Sequence, residues 1–559
     1  MAFFAACAVI LMGCDKPPAP AAVASAGAPQ WFTDITAQSG LSFTHLAGTN
    51  YFMPDQVGSG VALLDYDNDG RLDVYFVQNG GTNPAARNQL FHQQADGSFK
   101  NVSAGSGLDI AGRGMGAFAG DVNNDGLPDL LVTEYGAVRL FQNTGGGKFK
   151  DVTADAGIDN PRWAAPASFL DYDRDGWLDI VVGNYVDYDP THGCKDVQGQ
   201  QDFCAPKPFA PTATRLWRNA TKLAGSTPRF EDRSEASGLF RVPGVALGLV
   251  GADFDGDGWP DIFCADDGRP NRLFINQRNG TFTEEAAQRG LAFTAMGATA
   301  ANMGTAFADV DGDGWGDVFV THLSEEFHSL YKQGPRGVFA DQIAGLGLQQ
   351  QSWRGTGFGT VLADFNQDGA PDLISANGLV RRMLKNQTPV APGVNPWWAR
   401  YAQKSQLFVN ERGQFRDLSP TQIALSGEAM VARSLAVGDL DNDGAPDLIV
   451  GNVGGPARVL RNAVPHRGHW LKLRLLLPQQ GNRDAIGAEA VISAGGKRHW
   501  AVLQPATSYL VSNDPALHFG LGAATALDSI AVLWPDGVKE TFAGGAVDRL
   551  LVLKKGGGK

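Results

Sequence analysis

Asp65-Tyr66-Asp67-Asn68-Asp69-Gly70-Arg71-Leu72-Asp73 lies between Val61-Ala62-Leu63-Leu64 and Val74-Tyr75-Phe76-Val77. The flanking runs are aliphatic, β-branched and aromatic, the composition of strands. Carboxylates at positions 1, 3, 5 and 9 of the nine converge on one point if the chain turns sharply at position 6. Gly70 permits that turn, because glycine adopts left-handed dihedrals without steric cost. A backbone carbonyl near position 7 adds another oxygen. A shell of oxygens, several of them anionic, suits a hard cation, and the flexible mix of ligands favours Ca²⁺ over Mg²⁺. An EF-hand would need a Glu at position 12 and a helix after it; here position 12 is Phe76, inside a strand. The loop is read as a hairpin connection stiffened by an ion.

The nine-residue pattern recurs six more times. The acidic and amide positions are Asp121, Asn123, Asp125 and Asp129; Asp171, Asp173, Asp175 and Asp179; Asp253, Asp255, Asp257 and Asp261. They continue as Asp309, Asp311, Asp313 and Asp317; Asp364, Asn366, Asp368 and Asp372; Asp439, Asp441, Asp443 and Asp447. Asp, Asn and Gly favour turns for their own reasons, so one copy would say little. Seven copies with the same side chains at the same offsets predict up to seven bound Ca²⁺.

Successive loops start 56, 50, 82, 56, 55 and 75 residues apart, and a period near 50 with strand signals means a propeller or a solenoid. After most loops comes an aromatic-rich strand and then a strand beginning with Phe, as in Leu140-Phe141-Gln142-Asn143 followed by Phe149-Lys150-Asp151-Val152-Thr153. The repeating unit is therefore four strands. The last repeat, after Val459-Leu460-Arg461-Asn462, lacks its fourth strand, and Phe32-Thr33-Asp34-Ile35-Thr36 supplies the matching sequence at the other end of the chain. Such a displaced strand closes a ring and removes exposed sheet edges. The expected fold is all-β: a seven-bladed propeller over residues 31–462 and a small β-rich domain over 463–559. Two long insertions, Asn184–Arg215 and Asn377–Gln406, are binding loops or ordered decoration.

The repeats resemble the FG-GAP/VCBS calcium repeats also found in integrin α-subunit heads. The tail resembles the ASPIC/UnbV domain through His469-Trp470-Leu471-Lys472-Leu473, Asn482–Ala488, Leu517-His518-Phe519-Gly520-Leu521-Gly522 and Trp534–Gly537. Together they resemble the bacterial branch of the cartilage acidic protein family. The resemblance implies an extracytoplasmic, calcium-loaded protein of adhesive or scaffolding type and supplies little mechanism.

Residues 1–14 end in Leu11-Met12-Gly13-Cys14 and resemble a lipoprotein signal, with Cys14 as the lipidated residue. No Lys or Arg precedes the apolar stretch, and an ordinary secretory signal is the alternative. Residues 15–30, rich in Ala and Pro, read as a tether. No other run approaches the ~18 apolar residues of a transmembrane helix, so membrane contact is expected only through the lipid anchor. Cys194 and Cys204 share one insertion and are expected to pair, which suits an oxidising compartment; zinc with His192 is the alternative, at an unusual spacing. Cys264 is read as a buried thiol.

The formal charge is −13, but seven Ca²⁺ would more than neutralise it, so the acidity belongs to the loops rather than to a docking surface. No basic run of the nucleic-acid-binding kind is present. The leading functional reading is a calcium-binding module for adhesion, binding or scaffolding at the cell envelope, its partner an envelope or extracellular protein or glycan. The competing reading is a hydrolase or lyase with its site at the mouth of the central channel, drawing on His45, Glu134, His322, Glu325, Glu326 and His328. Neither G-x-S-x-G nor H-E-x-x-H occurs, the motifs such chemistry often uses, and no catalytic residue is assigned.

Overall fold

The computed structural model describes residues 28–81, 83–382 and 389–559; Cys14 and most of the tether lie outside them. In blade 1 the loop connects Val61–Leu64 to Asp73–Phe76, and Gln89–Gln93 and Phe99–Asn101 complete an antiparallel sheet. Six more four-stranded antiparallel units follow among the described residues, numbered here as blades 2 to 7, with first strands beginning at Gly114, Ala164, Ala246, Thr305, Gly357 and Ala432. Each first strand packs beside the first strand of the next blade, and the one in blade 7 packs beside the one in blade 1.

Every second strand begins at position 9 of its loop, and every fourth strand begins with a buried Phe. In blade 7 that Phe is Phe32. Its strand, Phe32–Asp34, pairs antiparallel with Arg458–Asn462, Phe32 lying opposite Asn462. The ring therefore closes with the first described strand of the chain, and Phe32 sets its edge against Phe365 of blade 6 at 5.2 Å.

The C-terminal domain is two sheets around one core that includes Leu473, Ile492, Phe519, Ile530 and Trp534. His469–Leu477 lies between Leu517–Gly522, antiparallel, and Arg549–Lys554, parallel. Glu489–Ala494 lies between Lys497–Val502 and Ala526–Leu533. The domain sits on the propeller face that carries the acidic loops. Gly522 N–H donates to Gln367 O at 2.8 Å, Gly468 N–H to Asn366 O at 3.1 Å, and His518 Nε2 lies 2.6 Å from Gly444 O.

From this domain a loop enters the central channel. Val511 and Ser512 add in parallel to Val61 and Ala62 of blade 1. Ser508 exchanges backbone bonds with Thr305 of blade 5, and its Oγ accepts from Thr360 N–H of blade 6 at 3.0 Å. Gln504 donates to Gly251 O of blade 4, and Asn513 Oδ1 accepts from Val437 N–H of blade 7. Tyr509 at the tip is wholly buried. Ser508 and Leu510 hold left-handed backbone, φ +76° and +59°, a conformation that non-glycine residues keep only where their surroundings enforce it.

The opposite face is roofed by the two insertions. Phe203 stacks on Trp398 at 5.5 Å, Tyr401 Oη donates to Asp202 Oδ1 at 2.7 Å, and Arg382 pairs with Asp196. Tyr51 adds its ring to Phe203 and Trp397. Between roof and plug remains a cavity of about 50 Å³, walled mainly by apolar residues such as Met53, Leu247, Met303 and Phe358.

Candidate metal centres

Each loop is held by the same backbone bonds. Position 1 accepts from the position-6 glycine N–H at 2.7–3.2 Å in all seven. Position 5 accepts from the N–H of position 7 at 2.7–3.1 Å. The glycines have φ from +84° to +98°. A second left-handed residue sits at position 4, as Asn68, Asn124, Arg174, Gln367 and Asn442 in five loops and Gly256 and Gly312 in two. The loop thus turns at position 4 as well as at the position-6 glycine that the sequence marks.

Position 9 is buried in every loop and accepts twice. One oxygen takes the position-2 N–H at 2.9–3.2 Å. The other takes the N–H of the last residue of the third strand at 2.7–2.9 Å. Each oxygen keeps a lone pair for a cation.

Carboxylates of positions 1, 3 and 9 come within 4.8 Å of one another in the groups Asp65/Asp67/Asp73, Asp171/Asp173/Asp179, Asp253/Asp255/Asp261 and Asp309/Asp311/Asp317. Burial, aided by neighbouring loop carboxylates and opposed by the backbone bonds, drives Asp129, Asp179, Asp261, Asp372 and Asp447 well above the carboxylate range. Asp439 Oδ1 is buried with no hydrogen-bond partner. Oxygen-only donors, like charges crowded together and an orphaned carboxylate oxygen fit a divalent cation. When bound, it would supply charge neutralisation and cross-linking of the hairpin.

The loops are not equivalent. Arg218 pairs with Asp173 and Asp175, and Lys332 pairs with Asp311. His92 Nδ1 lies 3.0 Å from Asp73. In the two loops with Asn at position 3, the amide instead donates to position 5, from Asn123 to Asp125 at 2.9 Å and from Asn366 to Asp368 at 3.1 Å. The C-terminal domain adds Lys472, 3.6 Å from Asp439, and Arg474, 3.8 Å from Asp65. Lys472 and Arg474 come from a strand outside the propeller, and no local pattern near Asp439 or Asp65 marks them.

A further set of residues lies outside the acidic pattern and joins one blade to the next. The third strand of each blade ends in Asn or Gln, and that side chain donates to the position-2 carbonyl of the preceding blade's loop. The pairs are Asn143 to Tyr66, Asn219 to Val122, Asn276 to Tyr172, Gln333 to Phe254, Asn410 to Val310 and Asn462 to Phe365. Gln93 to Leu440 completes the circle, and all seven bonds measure 2.6–3.0 Å. The repeated Asn after Leu-Phe-x was the available clue.

The six titratable candidates for a channel site are not gathered into one place. His45 is buried where its N–H meets Gly455 O, and Glu134 of blade 2 pairs with Arg139 at 3.1 Å. His322 and His328 are buried together in blade 5, His328 Nδ1 accepting from His322 N–H at 2.9 Å, with Glu326 3.8 Å from His322. Burial pushes His45 down to about 3 and His328 to about 4. Glu325 Oε2 accepts from Ser324 Oγ at 3.1 Å. Cys194 and Cys204 are bonded, Cα–Cα 5.1 Å. Cys264 is a buried free thiol.

Residues 65–132, 121–182, 253–320 and 397–450 match the family model of the FG-GAP-like repeat, and residues 478–559 match that of ASPIC and UnbV. The chain is thus an FG-GAP-repeat protein ending in an ASPIC/UnbV domain, a combination that marks a binding- or adhesion-type module. It is homologous to cartilage acidic protein 1. The human protein is 27% identical over 307 residues, 52% of this chain and 42% of that protein. The mouse protein is 26% identical over 294 residues, 50% of this chain and 40% of that protein. The match spans less than half the length of these curated relatives. Among solved structures, an Agrocybe aegerita lectin described for recognition of non-reducing terminal N-acetylglucosamine is 14% identical, with 71% of this chain and 87% of that chain covered and a TM-score of 0.39.

Proposed function

We propose that this protein is a calcium-loaded binding module of the cell envelope or the extracellular space, tethered through Cys14, with a protein or glycan as its partner. The filled channel carries the reading. Propeller enzymes of the kind considered above need an open channel mouth, whereas here one end holds Tyr509 and its loop and the other is roofed by Phe203, Trp398 and Tyr401. What the molecule offers to others is its outer surface. The calcium part is supported by the seven oxygen-lined loops, and the compartment by the Cys194–Cys204 bond, which suits an oxidising environment.

The test uses full-length protein. Chelation should lower the melting temperature strongly, and Ca²⁺ should restore it better than Mg²⁺; an unchanged melting curve would sink the calcium claim. Immobilised protein is then challenged with a glycan panel and purified envelope proteins in Ca²⁺. Absence of any saturable partner in both sets would sink the binding-module reading.

A further inference from the structure

The loop of blade 4, Asp253–Asp261, differs from the other six in what faces its carboxylates. Arg278 Nε donates to Asp257 Oδ2 at 2.8 Å, Arg289 Nη2 donates to Asp255 Oδ2 at 3.1 Å, and Arg336 Nη2 lies 3.7 Å from Asp253 Oδ2. Positions 5, 3 and 1 thus each meet a guanidinium. In no other loop among the described residues do Arg or Lys side chains come within 4.0 Å of all three positions. Two of the arginines are shared with other acids: Arg289 also pairs with Glu285 at 2.9 Å, and Arg336 lies 3.9 Å from Glu489.

The fold places all three. Arg278 follows the third strand in left-handed backbone, φ +59°, its N–H on Asn276 Oδ1. Arg289 ends the short helix Ala286–Arg289, and Arg336 comes from the hairpin between Ser329–Gln333 and Phe339–Asp341 of blade 5. Arg289 Nη1 also donates to Gly337 O, and Arg336 Nη2 to Asp253 O, both at 3.2 Å, so the loop and that hairpin are tied together.

For an ion the consequence is electrostatic. A carboxylate oxygen that accepts a backbone N–H keeps a lone pair for a cation, whereas one held by a guanidinium also presents the ion with a like charge. At about 5 Å in a water-like dielectric, one unit charge opposes a divalent ion by a factor of about ten. Asp255 and Asp257 each give one oxygen to a backbone N–H, at 3.2 and 2.7 Å, and the other to arginine. Blades 3 and 7 instead keep an oxygen uncommitted: Asp173 Oδ1 and Asp439 Oδ1 are buried without a hydrogen-bond partner. In blades 2 and 6 the side-chain donor to position 5 is a neutral Asn amide.

We propose that an arginine clamp takes the place of the ion in blade 4: Arg278, Arg289 and Arg336 hold its loop, and calcium enters the other loops but not this one. The assignment rests on the calcium reading above and narrows it.

Equilibrium dialysis of the full-length protein against Ca²⁺, counting ions bound per chain, tests it. Asp255→Ala/Asp257→Ala in blade 4 should leave the count unchanged, while Asp173→Ala/Asp175→Ala at the same positions of blade 3 should lower it by one. Arg278→Gln/Arg289→Gln should raise it by one, because relief from two like charges strengthens binding about a hundredfold. A count that falls by one in the blade 4 alanine pair overturns the clamp and leaves the calcium reading standing. No Ca²⁺ on the unsubstituted protein overturns both. Should the blade 4 alanine pair fail to fold, as its melting curve in Ca²⁺ would show, the Arg278→Gln/Arg289→Gln protein decides by the same count: one ion gained upholds the clamp, and none gained overturns it.

Discussion

Replacing Asn276 by Ala probes the bond that joins one blade to the next. Asn276 is 3% exposed. Its amide donates to Tyr172 O at 2.9 Å in the preceding blade's loop and to Pro260 O at 3.1 Å in its own, and its Oδ1 accepts from Arg278 N–H at 2.9 Å. A hydrogen bond contributes about 1 kcal/mol net, and a buried carbonyl left without its donor costs about 1–3 kcal/mol. Arg278 N–H lies near the surface and can turn to water, so the expected loss is about 2–4 kcal/mol. Urea unfolding in excess Ca²⁺, followed by tryptophan fluorescence, measures it as a shift in midpoint at constant slope. Asn279→Ala is the control, since among the described residues the side chain of Asn279 makes exposed turn bonds to Thr281 alone and its loss should cost less than about 1 kcal/mol. Equal midpoints for the two variants would refute the idea that these amides lock the ring.

Phe32→Ala should cost about 3–5 kcal/mol, as for a buried aromatic in a core, because Phe32 belongs to the core shared by blades 6 and 7; a loss below about 1 kcal/mol in the same urea assay would mean that the N-terminal strand does not carry ring closure. Tyr509→Ala should cost a similar amount and raise hydrogen exchange at Thr360 N–H, which donates to Ser508; unchanged exchange there would argue against the plug. In metal-free protein, burial and neighbouring carboxylates push Asp73 and Asp364 up to about 8 and burial pushes Asp317 to about 7, all from 3.8. Such acids bind protons more tightly folded than unfolded, so their contribution is complete below about pH 4 and is lost as the pH rises through 7 to 8. Chelated protein should therefore melt lower at pH 8 than at pH 5, with Ca²⁺ removing most of that slope; a chelated melting temperature that rises over this range would contradict the crowding of these carboxylates.

The nine-residue loops were legible because everything they need is local. The position-1 carboxylate reaches the position-6 glycine N–H within the same turn, so side-chain identity at fixed offsets suffices. The four-strand period and the likeness of Phe32–Thr36 to Phe149–Thr153 were likewise enough to place the closing strand, since a strand's partner is chosen by a pattern that the whole chain repeats. Other features depended on segments that meet only after folding. The amide of Asn462 finds Phe365 O across 97 residues, and Tyr509 fills a channel whose walls come from all parts of the propeller. No periodicity marks Pro505–Asn513 as a plug, because its fit is to a shape and not to a repeat. The same holds for Phe203 on Trp398, which turns two insertions into one roof. The chain's own pattern thus determined the ring and its seven acidic loops. Tertiary packing alone decided that the ring is locked at every blade and closed at both ends, because those contacts depend on where distant surfaces come to rest.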